Sequence, residues 1–313
     1  MNLKLSRLSI AIVVLAVVAV AFVLLQLILA NAHAGMTLIW GDDFNGAANT
    51  GVNTSNWLYD TGTSYPGAAA NWGTGEIETM TDSTANVFQD GNGHLVIKPL
   101  RNGSAWTSGR IETKRTDFQP SVGGVMRVEA SIQQPNVSGA ESSGYWPAFW
   151  VLGAPFRGVY TNWPSIGEID VMEDVNGASS VFGTLHCGSA QGGPCNETTG
   201  ITSGQHPCPG CQTGFHTYAV EYDRSVSPEQ IRWYLDDSNF FTVNANQVDA
   251  TTWNDATHHG FFIILDVAMG GSFPAAFGGS VSSSTASGVP MLVDYVRVYT
   301  KNVNGPTPTI TPQ

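Results

Sequence analysis

From Met126 to Gln133 apolar and polar residues alternate, with Met126, Val128, Ala130 and Ile132 set against Arg127, Glu129, Ser131 and Gln133. A period of two sends the two sets to opposite sides of an extended chain, so the stretch predicts a strand with one face in a core. Leu95 with Ile97 repeats the pattern, as do Ile231, Trp233 and Leu235. Residues 216–222 and 292–299 are rich in β-branched and aromatic side chains, which favour strands. Residues 261–267 are apolar on both faces apart from Asp266, which predicts a central strand. Gly, Asn, Ser and Pro clusters separate these runs, and beyond residue 34 no long segment carries a helical period. The prediction is an all-β chain of two packed antiparallel sheets, a sandwich or jelly roll.

The two ends break the pattern. Lys4 and Arg7 precede an uncharged apolar run over residues 8–30, followed by Ala32, His33 and Ala34. This reads as a signal peptide over residues 1–34, cleaved after Ala34, with a retained membrane anchor as the alternative. Residues 305–312 form a Pro/Thr run, and 301–313 read as a tail or linker after a single domain over 35–300. Only 12% of residues are charged, against roughly 25% in soluble proteins. Disorder does not follow, because 42% hydrophobic content fills a core. A formal charge of -12 argues against nucleic acid, whose phosphates need clustered Lys and Arg.

The sharpest chemical feature is Gly167-Glu168-Ile169-Asp170-Val171-Met172-Glu173-Asp174. On a strand Glu168 and Asp170 share a face while Ile169 and Val171 enter the core. Strict alternation would bring Met172 to the carboxylate face; one extra residue, a β-bulge, brings Glu173 there instead. Crowded carboxylates oppose each other's ionisation and raise at least one pKa. Glycosidic cleavage uses that asymmetry, with one ionised carboxylate to attack and one protonated to donate. A polar strand face and a calcium site built from the same carboxylates are the alternatives.

With Trp163, Pro164 and Gly167 before it, this motif resembles the active-site motif of glycoside hydrolase family 16 in its bulged, laminarinase-like form. Trp146-Pro147-Ala148-Phe149-Trp150, Thr184-Leu185-His186, Phe215-His216-Thr217-Tyr218 and Val293-Asp294-Tyr295-Val296-Arg297-Val298-Tyr299 stand where that family has them. The resemblance runs from about Trp40 to Tyr299. It implies a jelly-roll sandwich of two curved antiparallel sheets, concanavalin A-like, with a sugar cleft on the concave face. By position Glu168 is the nucleophile, Glu173 the general acid/base, and Asp170 the group between them that tunes protonation. Double displacement with retention then requires the two Glu carboxyls about 5–5.5 Å apart.

Around the motif, Trp163 and Trp146 are expected in the cleft as platforms for sugar rings, and Trp150 in the core. The family places His186 near the acid/base, and Arg110 resembles its substrate-binding arginine. The chain departs from the common pattern at Gly73-Thr74-Gly75-Glu76 and Gly270-Gly271-Ser272-Phe273, both in cleft-lining regions. Asp294, with backbone oxygens near Asp43 and Gly93, resembles the family's structural calcium site. Cys187, Cys195, Cys208 and Cys211 are four cysteines in an exported chain, which favours disulfides in one of three pairings. The rival is zinc held by Cys208 and Cys211 with Cys187 or His206.

The implied activity is secreted, retaining, endo-acting hydrolysis of laminarin-type β-1,3-glucan, without a catalytic cofactor. The same chemistry on mixed-linkage β-glucan or β-1,3-galactan, or transglycosylation, are the enzymatic alternatives. Outside enzymes the alternative is a non-catalytic β-glucan-binding protein, against which the three retained carboxylates count. The expected partner is a polysaccharide, with no nucleic acid, no membrane contact after signal cleavage, and a monomeric chain.

Overall fold

Strand Gly124–Gln133 carries the alternation that its sequence predicts, with Val128, Ala130 and Ile132 fully buried in the core. The computed structural model describes His33 and residues 35–302; the rest of the leader and residues 303–313 lie outside the described residues. Gly124–Gln133 pairs antiparallel with His216–Asp223 on one side and Met291–Asn302 on the other. Gln230–Leu235 and Ser238–Asn244 continue this back sheet past His216–Asp223. Leu95–Ile97 and Val87–Gln89 continue it past Met291–Asn302, which Thr37–Asp42 also joins. Asn302 still pairs with Gly124, so the folded domain runs two residues past the expected boundary at 300.

The second sheet carries the carboxylates. Its order is Ile201–Thr202, Ser180–His186, Glu168–Glu173, Tyr145–Gly153, Phe261–Met269, Arg110–Thr113 and Trp57–Tyr59. Every residue of Phe261–Met269 is buried, and the strand sits between Tyr145–Gly153 and Arg110–Thr113, as its two-sided apolarity predicts. A small third sheet, Glu78–Met80 with Ala105–Ser108 and Leu100–Asn102, contains a parallel pair. The fold is all-β.

One continuous core fills the space between the two large sheets, drawing Val128, Val220 and Trp233 from one and Phe149, Ile169 and Leu265 from the other. Burying a side chain of this size stabilises by about 1.5–3 kcal/mol. Trp233 does more than fill volume, since its indole N–H donates to the carbonyl of Asp170 at 2.7 Å. A buried indole needs such an acceptor, and here the bond ties the back sheet to the carboxylate strand.

Two features depart from a simple sandwich. Arg127 and Glu129 point away from the core, yet each is only 1% exposed. Arg127 donates to Glu129, Glu221 and Asp237 at 2.7, 3.4 and 2.6 Å, a paired network that offsets the desolvation of its charge. The other is an eight-residue helix, Ala250–Thr257, whose first turn is capped by Asp249 accepting from the backbone of Thr251 and Thr252. Gly167 meets this helix just before the carboxylate strand. Its φ is +71, and a Cβ there would lie 2.0 Å from the carbonyl oxygen of Ala256, so only glycine fits.

Candidate active site

The bulge is present where the motif requires it. Opposite Tyr145–Gly153 the register runs from Trp150 with Asp170 to Phe149 with Met172, leaving Val171 as the extra residue. Opposite Ser180–His186 it jumps from Asp170 with Thr184 to Glu173 with Phe182. Val171 and Met172 both enter the core, so Glu173 returns to the outer face with Glu168 and Asp170. One oxygen each of Glu168 and Asp170 and a ring nitrogen of His186 lie within 4.8 Å of one another. The polar-face reading does not fit, because Asp170 and Glu173 are 4% and 8% exposed. Nor does a calcium cage of the same carboxylates, because the third converging group is an imidazole and calcium takes oxygen ligands.

Electrostatics divide the two glutamates. Burial and then the charge of Asp170 drive Glu173 well above the ordinary carboxylate range, and the hydrogen bond from Trp146 Nε1 at 2.8 Å opposes the rise. Burial and Asp170 push Glu168 up to about 8, while His186 and Arg110 pull it back. Glu168 keeps 16% of its side chain exposed, which damps the burial effect and leaves it the readier of the two to ionise. Burial pulls His186 down, but hydrogen bonds and charge from Asp170 and Glu197 outweigh it and hold the ring well above its usual value. Nε2 of that ring lies 3.3 Å from Asp170 and 4.0 Å from Glu168, on the side of the expected nucleophile.

Of the expected platforms, Trp146 lies against Glu173, edge-on to Phe273 at 5.5 Å between centroids, and Trp163 is tilted against His186 at 5.6 Å. The Gly270–Phe273 departure thus supplies a ring that packs on Trp146. Trp150 is a correction, since Phe149 takes the core position and Trp150 shares the outer face with Trp146. Its indole donates to Asp266 at 2.8 Å, and the Arg110 guanidinium lies between its ring and that of Trp72, at 4.8 and 4.5 Å. Arg110 is 5% exposed, with donors directed to Asp60 and Tyr65 at 3.2 Å. It braces the Trp150 and Trp72 indoles. Asp266, pushed up to about 7 mainly by burial, stood out in the sequence only as a break in an apolar run. Trp72 had no sequence signal, because its place depends on a loop with φ of +53 at both Asn71 and Trp72.

The cysteines pair as Cys187 with Cys195 and Cys208 with Cys211. Among the described residues no cysteine is left as a free thiol, and Cys208 and Cys211 lie with His216 within 4.8 Å of one another. On the far sheet Asp294 is the extra residue of a register break between Val293 and Tyr295. Val293 lies opposite Leu95, which brings Asp294 beside the Gly93 turn. The Asp43 carboxylate is taken by Arg297 at 2.8 Å, leaving its carbonyl as the available donor. Among the described residues no helix is long and apolar enough to cross a membrane.

A two-sheet β fold with paired glutamates on a bulged strand is the setting of a glycoside hydrolase site. A family model described as XgeA-like, catalytic GH16 domain, matches residues 137–216. The structure of an endo-1,3-β-glucanase from Streptomyces sioyaensis is 60% identical, with a TM-score of 0.84, covering 86% of this chain and 98% of that one. A β-glucanase of Rhodothermus marinus is 30% identical over 84% of each chain. Glucan endo-1,3-β-glucosidase A1 of Niallia circulans is 35% identical over 86% of this chain, which spans 38% of that relative's length. The chain belongs to glycoside hydrolase family 16.

Proposed function

We propose that this chain is a secreted, retaining, endo-acting hydrolase of laminarin-type β-1,3-glucan. The observation that carries the reading is the bulge at Val171, which gathers Glu168, Asp170 and Glu173 on one face. The activities named for the Streptomyces and Niallia relatives support the substrate class. Glu168 attacks the anomeric carbon as the carboxylate kept readier to ionise by His186. Glu173, protonated, donates to the departing glycosidic oxygen and then takes a proton from the incoming water. Asp170, between them, raises both glutamates by its charge and stands 3.3 Å from Nε2 of His186. Trp146 and Trp163 offer indole faces to the sugar rings, and Arg110 acts through Trp72 and Trp150. Residues 1–34 direct export, which the two disulfides suit, and the mature chain acts as a monomer.

We propose Asp294, with the carbonyls of Asp43 and Gly93, as the holder of a structural calcium ion, which takes carboxylate and backbone oxygens. Such an ion would staple the first strand to the last and has no part in the chemistry. Incubation with laminarin, lichenan, β-1,3-galactan and agarose, with product lengths measured, tests the proposal. Short oligosaccharides from laminarin first are expected. Preferential cleavage of lichenan or galactan would move the assignment to those polymers, and binding without cleavage would overturn it.

A further inference from the structure

Glu197 lies outside every motif, yet its side chain is fully buried against His186. One carboxylate oxygen is 2.7 Å from Nδ1 of His186, and the other accepts from the backbone N–H of Cys187 at 2.8 Å. A buried carboxylate is costly unless paired, so packing alone does not account for an acid here. The loop that carries it is constrained. Cys187 and Cys195 close it covalently, and Glu197 exchanges two backbone hydrogen bonds with Gly192.

We propose that Glu197 is a positioning residue that acts on the reaction through His186. The inference rests on the catalytic reading of Glu168 and Glu173. His186 ends its strand directly opposite Glu168. An imidazole in that place has two ring orientations, and an unpaired ring populates both. Glu197 takes Nδ1, which turns Nε2 toward Asp170 and Glu168 and leaves Trp163 against the ring. The charged groups facing the ring are Glu168, Asp170 and Glu197. Nδ1 pairs with Glu197 while Nε2 faces Asp170 and Glu168, so acids on both sides favour the imidazolium, whose charge then stands beside the nucleophile. The logic is that of a carboxylate that fixes the orientation and protonation of a working histidine.

The test joins a spectroscopic readout with a kinetic one. In the full mature chain, nitrogen NMR of His186 follows the ring protons against pH without any substrate, so it stands apart from the assigned activity. Glu197→Gln keeps the size of the side chain and removes its charge, so the ring should lose a proton at lower pH than in the wild type. With laminarin, kcat should fall about tenfold with KM little changed. In a His186→Gln background the same change should have no further effect, and Glu197→Asp should recover part of the loss. Melting temperatures identify any variant that fails to fold, and Glu197→Asp then carries the titration. An unchanged His186 titration in a folded variant overturns the proposal, as does an equal loss in the His186→Gln background. Normal NMR behaviour without hydrolysis of laminarin would instead count against the assigned activity.

Discussion

The indole nitrogen of Trp146 donates to Oε1 of Glu173 at 2.8 Å, which places the proposed sugar platform and the proposed proton donor in one unit. The hydrogen bond favours the ionised form, against burial and Asp170, which favour the protonated one. Trp146→Phe removes it, so Glu173 keeps its proton to higher pH. A general acid works while protonated, so the alkaline limb of kcat/KM should move upward. At the optimum kcat should fall by less than about tenfold. A pH–rate profile checks this, and an alkaline limb that stays put or moves down contradicts it.

Gly271 tests the support beneath the same indole. Its φ is +87, and a Cβ would lie 3.3 Å from both Trp146 Cζ3 and the Thr74 carbonyl. Gly271→Ala should therefore cost about 1–3 kcal/mol through backbone strain and raise KM as Trp146 shifts. Urea unfolding and steady-state kinetics measure both. Wild-type stability would show that the turn relaxes freely.

Periodicity carried most of the fold, and where it failed the cause is physical. The sandwich, the buried strand at Phe261–Met269 and the bulge were legible because one face of each strand must be apolar. Trp150 was misplaced because an apolar run offers two registers, and only Asp266 and Arg110 on the outer face decide between them. Helix Ala250–Thr257 was missed because its sequence is polar, with Trp253, Ala256 and Thr257 as its buried side. Glu197 was invisible because it meets His186 only through a folded loop.

Reduction probes that loop. With Cys187–Cys195 open, Glu197 loses its restraint on His186. Reductant should lower stability by about 2–4 kcal/mol and kcat/KM several-fold, while measurable hydrolysis remains. Thermal melts and kinetics with and without reductant decide it. Unchanged values for both would contradict the role given to the bridge.

Calcium at Asp294 is tested by stability, since the site is remote from the carboxylate strand. Chelation should lower Tm, and restored calcium should recover it, because a ligand of the folded state alone stabilises by mass action. Turnover well below Tm should not change. A melting curve indifferent to chelator and calcium would remove the ion from the account.

The central claim is that Glu168 and Glu173 cleave β-1,3-glucan in two displacements. Proton NMR of laminarin during the first moments of hydrolysis measures this directly, before mutarotation mixes the anomers. Retention predicts that the new reducing ends appear first as the β-anomer and drift toward equilibrium. First appearance of the α-anomer would mean single displacement by water and would contradict the roles assigned to both glutamates.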